Sequence, residues 1–161
     1  MTQMTREEFL ARYEAGERDF MALNWTEIDL SGTTLHGVQF NSVGINYKVS
    51  EWRHVNLRNI KWTECDLTAC RFSFCDLRDA KFTDCIMEAM MFKDCNLKRV
   101  QVKRSKFFRI VFIRVNFKGA NLGHGIHSCG HWFTDCIRED GKFMRGVSVD
   151  PWDRLSKTPD A

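Results

Sequence analysis

Every fifth residue of this chain is apolar over most of its length, and that period narrows the fold more than any other feature. Stepping in fives from Phe20 gives Trp25, Leu30, Leu35 and Phe40. Two extra residues then intervene, and the series resumes at Tyr47 and runs unbroken through Trp52, Leu57 and Trp62 to Phe117 and Leu122. All twenty-one positions are apolar. With roughly 45% of residues apolar by composition, chance gives about one in ten million. A second series lies two residues earlier in each pentad, from Ile45, Ser50, Val55 and Ile60 to Ala120, and is mostly small or apolar. The other three positions are largely Asn, Asp, Arg, Lys, Thr and Ser. A period of five matches neither the helical 3.6 nor the strand 2.0. Two inward residues separated by one outward residue, then a polar corner, describe a short β-bridge and a turn. Such coils leave backbone groups unpaired above and below, so they must stack.

The tracts Cys65-Asp66-Leu67, Cys75-Asp76-Leu77, Cys95-Asn96-Leu97 and Ala120-Asn121-Leu122 resemble the A(D/N)LXX signature of pentapeptide-repeat proteins. The resemblance covers residues 18–122. It implies an all-β solenoid, a right-handed, quadrilateral parallel β-helix with about twenty residues per coil and coils stacked at roughly 4.8 Å.

A solenoid must cover its terminal edges. Residues 1–17 read as an N-terminal capping helix. Thr5 is placed as N-cap with Glu8 three residues on, Met4 and Phe9 as a hydrophobic staple, and Gly16 as the C′ residue. Phe9, Leu10 and Tyr13 form the stripe expected to cover the first coil. Residues 18–122 form the coil, with a two-residue interruption near 41–46, containing Gly44, read as a bulged corner. After Leu122 the phase fades. Residues 123–155 are expected to form an irregular last coil and a C-terminal cap. Alternatively, Trp132, Phe143, Val147, Val149 and Trp152 mark a homodimer face at that end. Residues 156–161 read as a disordered tail.

With 161 residues the chain fits one domain. No apolar run is long enough to cross a bilayer. The N-terminus lacks the basic-then-apolar layout of a signal peptide. Seven Cys, an odd number, fit reduced thiols. The expected location is therefore the cytoplasm, with no membrane partner. A formal charge of +3 gives no case for nucleic acid and argues against a polyanionic surface.

Three residue sets could carry chemistry. Cys65, Cys70, Cys75, Cys85 and Cys95 all fall on the inward small-residue position, where Cys serves as a small hydrophobe rather than as a reactive ladder. His124, His127, Cys129 and His131 lie together where the repeat breaks down, with Asp135 and Cys136 following. They are soft and borderline metal ligands, but their spacing matches no zinc motif, and a polar loop with incidental His is the other reading. No cofactor is expected. The third set is charge. Between Asn96 and Thr134 there is no acid and there are eight Lys and Arg. A twenty-residue coil sets Arg99 over Asp79, Arg104 over Asp84 and Arg114 over Asp94, which leaves one column, Arg58, Arg78, Lys98 and Lys118, to face a partner. Lys61 and Lys81 lie on the next side. No Gly-rich phosphate loop, nucleophile elbow or His-Glu-x-x-His pattern is present, so the chain does not read as an enzyme. The leading expectation is a non-catalytic interaction module that presents a partly basic face to a protein partner. The resemblance also implies an alternative, the gyrase-modulating DNA mimicry of some relatives, which uses a strongly negative surface. A metal-binding role for residues 124–136 is the remaining alternative.

Overall fold

The computed structural model describes residues 4–20, 24–26, 28–38, 50–123 and 130–149. One helix, α1 (Arg6–Glu14), precedes thirteen strands among these residues. In order they are β1 (Asn24–Thr26), β2 (Thr34–His36), β3 (Glu51–Arg53), β4 (Lys61–Thr63), β5 (Arg71–Ser73), β6 (Lys81–Thr83) and β7 (Ile86–Glu88). They continue with β8 (Met91–Lys93), β9 (Gln101–Lys103), β10 (Lys106–Phe108), β11 (Val111–Ile113), β12 (Trp132–Ile137) and β13 (Phe143–Val149).

From β3 to β11 each strand is three residues long, and its middle residue is buried between two outward neighbours. Strands one coil apart pair in parallel: Trp52 faces Phe72, Phe72 faces Phe92, and Phe92 faces Phe112. A second side stacks β2, β4, β6 and β9, and a third pairs β7 with β10. The remaining side is held by single bridges through Asp29, Asn56, Asp76, Asn96 and Asn116. From β5 the chain visits the Asp76 bridge, β6 and β7, then returns as β8 over β5. The coil is therefore four-sided and twenty residues long.

The corners explain the period. From His54 to Arg114 every fifth residue has φ between 49° and 61°, thirteen in succession, and none is glycine. A left-handed conformation costs a non-glycine residue about 1–3 kcal/mol. Eleven of these thirteen N–H groups donate to the next coil, as in Asn59 N to Arg78 O at 2.9 Å, Glu64 N to Thr83 O at 3.0 Å and Phe74 N to Lys93 O at 3.0 Å. The turn is thus held by the stacking it permits.

The interior is a set of columns. The main one is a stack of rings, Trp25, Trp52, Phe72, Phe92, Phe112 and Phe133, with centroids 4.6–5.5 Å apart and planes within 17° of parallel. Each aromatic pair adds about 0.5–1.5 kcal/mol beyond its buried area. At the N-terminal end Phe9 of α1 meets Trp25 edge-on at 4.9 Å. Thr5 Oγ1 accepts from Glu8 N at 3.1 Å and so caps α1. At its other end Gly16 N donates to Tyr13 O and Glu17 N to Arg12 O, with Gly16 at φ 97°. That double bond pattern needs a left-handed residue at the Gly16 position. Tyr13 is half-buried, and its hydroxyl accepts from His36 N at 3.0 Å, on the edge of the second strand.

Two coils depart from twenty residues. Trp25 pairs with Trp52 and Leu35 with Trp62, each twenty-seven residues apart. The interruption therefore adds seven residues to its coil rather than two. Phe40, Gly44 and Tyr47 themselves lie outside the described residues. At the other end Phe112 pairs with Phe133, twenty-one residues on. There β12 adds to the first side and β13 folds back on it antiparallel, with Thr134 opposite Val147 and Ile137 opposite Phe143. The described part of residues 123–155 is thus mainly a β-hairpin laid on the last coil. Trp152 and residues 156–161 lie outside the described residues. No helix among the described residues is long and apolar enough to cross a membrane.

Phe92 lies fully buried in the middle of the ring stack. Phe92→Ala should destabilise the fold by about 3–5 kcal/mol in urea titration followed by circular dichroism. A loss below about 1 kcal/mol would mean that neighbouring rings collapse into the gap.

Candidate interaction surface

The basic column is positioned by its own corners. Asn56, Asp76, Asn96 and Asn116 each accept, through Oδ1, the backbone N–H two residues on, at Arg58, Arg78, Lys98 and Lys118 (3.0–3.3 Å). This side-chain turn sets the geometry of the corner. The carbonyls of Arg78, Lys98 and Lys118 accept from the left-handed residue of the preceding coil at 2.9–3.1 Å. The four side chains therefore rise along one edge at about 4.8 Å per coil.

The four are not equivalent. Arg78 lies back on Asp76, with Nε 2.8 and 3.0 Å from its two carboxylate oxygens. The hydrogen bond to Asp76 raises the Arg78 pKa further. The expectation of an unpaired column is thus corrected at Arg78. Its corner has Asp at the turn position where the other three have Asn. Arg58, Lys98 and Lys118 form no ion pair with any described residue, and neither do Lys61 and Lys81 on the adjoining side.

Most of the remaining basic run is neutralised in place. Arg99 holds Asp79 at 2.6 and 2.7 Å, Arg104 holds Asp84 at 2.8 and 2.6 Å, and Arg114 holds Asp94 at 2.5 and 2.8 Å. Arg109 pairs with Glu88 on the fourth edge. Sequence spacing finds the first three. It misses the fourth because Glu88 lies twenty-one residues before Arg109, while Ala89 occupies the corner beneath it. The four pairs form a belt around one seam between coils. Hydrogen bonds from the arginines hold the Asp79, Asp84 and Asp94 carboxyls below the usual carboxylate range.

The six described cysteines are buried and unbridged. Cys65, Cys75, Cys85 and Cys136 donate S–H to backbone carbonyls at 3.3–3.6 Å. Burial pushes the thiols of Cys70, Cys95 and Cys136 up. Of the His and Cys set near the C-terminal end, His124, His127 and Cys129 lie outside the described residues. His131 is fully buried among Phe107, Phe112 and Phe133, and its Nδ1 accepts from Ile110 N at 3.4 Å. No group of three or more His, Cys, Asp and Glu able to hold a metal occurs among the described residues.

The last coil exposes three of the residues named above as a homodimer face, and beside them a cleft that the sequence did not single out. Trp132, Phe143 and Val147 are 52%, 60% and 66% exposed. Beside β13 lies an open cleft of about 550 Å³, walled by Arg114, Asn116, Asp135, Ile137, Phe143 and Arg145 over Val115.

The belt has a sign in pH. These carboxylates titrate lower in the folded chain than in the unfolded one, so the stability they contribute is present above the unfolded carboxylate pKa, about 3.9 for Asp. It is lost as pH falls through the lower folded values. Melting temperature should be flat from pH 7 to about pH 4 and drop below that. The triple variant Asp79→Asn, Asp84→Asn, Asp94→Asn should show a shallower acid limb, and an unchanged limb would remove the belt as its source.

The profile of the pentapeptide repeat region matches residues 46–112. No curated protein sequence matches the chain. Among solved structures, QnrB1, a plasmid-mediated fluoroquinolone resistance protein, aligns at 16% identity and TM-score 0.41, over 89% of this chain and 90% of that one. A second structure of QnrB1 aligns at 15% identity and TM-score 0.37, over 90% and 91%. HetL, a pentapeptide repeat protein involved in heterocyst differentiation regulation from the cyanobacterium Nostoc, aligns at 20% identity and TM-score 0.27, over 76% and 63%. With its five-residue register, four-sided twenty-residue coil and matching repeat profile, the chain carries a pentapeptide-repeat region over residues 46–112.

Proposed function

We propose that the chain is a non-catalytic protein-interaction module whose basic edge docks an acidic protein partner. The observation that carries this reading is the selective neutralisation of its cations. The arginines of the belt and Arg78 are each matched to a carboxylate, while Arg58, Lys98 and Lys118 on one edge are not. Like charges stacked one coil apart repel, and an acidic partner relieves that repulsion. Lys61 and Lys81 widen the strip onto the adjoining side. The same charge pattern disfavours DNA mimicry, which needs a negative surface.

A second reading concerns self-association. Trp132 and Val147 expose apolar surface on the last two strands of a seven-stranded sheet, where a second copy would cover them. Sedimentation at micromolar concentration should give a dimer that Trp132→Asp, Val147→Asp converts to monomer. A wild-type monomer removes this reading and leaves the first intact.

For the basic edge, an affinity pull-down from native cytosol compares wild type with Arg58→Glu, Arg78→Glu, Lys98→Glu, Lys118→Glu. A partner with an acidic surface should be retained by wild type and lost by the variant. Arg78→Gln alone should retain it, because Asp76 already occupies that guanidinium. Identical partner sets for wild type and the fourfold variant would reduce the edge to a solubility feature.

A further inference from the structure

A prism with flat sides offers a partner little to grip, and the cleft beside β13 is a concave feature on the described surface. Its chemistry is mixed in a specific way. Phe143 presents a ring that is 60% exposed, and Ile137 and Val115 add apolar surface. Burying an exposed ring of this kind is the usual source of a binding hot spot. Two guanidiniums border the same space. Arg145 is exposed and forms no ion pair among the described residues. Arg114 spends Nε and Nη2 on Asp94, which leaves its third nitrogen. Asn116 Oδ1 is taken by Lys118 N, so its amide N–H groups remain available to an acceptor. The one acid, Asp135, is already used at Oδ1, which accepts from Gly146 N at 2.8 Å. The cleft therefore offers apolar contact, hydrogen-bond donors and one guanidinium, Arg145, that holds no carboxylate among the described residues.

We infer that this cleft is the anchor of the docking surface, and that it takes a protein segment in which an apolar side chain is followed or preceded by an acidic one. The apolar side chain covers Phe143 and Ile137. The neighbouring carboxylate meets Arg145 and the Asn116 amide. Asn116 and Lys118 belong to the same corner turn, so further acids on the segment reach Lys118 and then Lys98. This inference rests on the interaction-module reading and gives it a chemical class of partner. A nucleic acid fits less well, because its run of phosphates would meet an apolar wall.

The test is selection of a random twelve-residue peptide library, displayed on phage, against the immobilised full chain. Enriched peptides are then made synthetically and titrated by fluorescence anisotropy. Phe143 and Arg145 are both exposed, so Phe143→Ala and Arg145→Glu should keep the wild-type circular dichroism spectrum. Enriched peptides should share an adjacent apolar–acidic pair, and each substitution should weaken them at least tenfold. Failure to enrich, enrichment without an acidic residue, or affinity indifferent to both substitutions would overturn the inference. So would a labelled single-stranded DNA dodecamer that binds with the same dependence on Phe143 and Arg145. Lys98→Glu, Lys118→Glu separates the two readings. Peptides that need the cleft but ignore this pair uphold the anchor and remove the basic edge. Peptides that need the pair but ignore the cleft do the reverse.

Discussion

The whole structure depends on left-handed corner residues, eleven of the thirteen in the regular run giving their N–H to the next coil. That single arrangement turns the chain through one side every five residues, and it works only when another coil supplies the carbonyl. An isolated coil would carry the backbone strain with no bonds to offset it. Cooperativity is therefore built into the corners as much as into the core. The aromatic stack follows from the same register. Because successive coils superimpose, the residue two after the small inward position meets its counterpart one coil on, and along one side rings stack on rings from Trp25 to Phe133.

Charge obeys the register too. Side chains on an edge see the residue one coil below at a fixed short distance, so opposite charges twenty residues apart must pair and like charges must repel. The belt around the seam between Asp79–Asp94 and Arg99–Arg114 is the first case. The edge of Arg58, Lys98 and Lys118 is the second. Whether an edge is neutral or charged is thus set by the phase of charged residues within the pentad, with no change to the core.

The regular part of this fold was legible because its signal is redundant. Apolar positions in one unbroken phase from Tyr47 to Leu122 mark the inward residues, and the tracts at Cys65, Cys75, Cys95 and Ala120 connect that phase to a known repeat. Three of the four belt pairs also follow from counting in twenties. What could not be read is local. The seven-residue addition to the first complete coil was hidden because seven leaves the same remainder as two when divided by five. Arg78 was lost to the basic column through Asp76, two residues away on the same corner, a contact that cross-coil counting does not consider. The left-handed corners give no composition signal, since Phe, Ala, Asp and Arg all occupy them. The cleft beside β13 was invisible because its residues come from the corner at Arg114 and from a hairpin whose fold carries no five-residue phase.

The in-register stack also makes length a separable property. Each coil touches only its neighbours, and each twenty-residue block presents the same four corners. Duplicating or deleting one block would lengthen or shorten the rod by a single rung and leave every column continuous. Two binding features on different coils could thereby be moved apart in fixed increments of about 4.8 Å without redesign of either, like marks on a ruler. A globular core offers no such adjustment, since any insertion there disturbs packing in three dimensions.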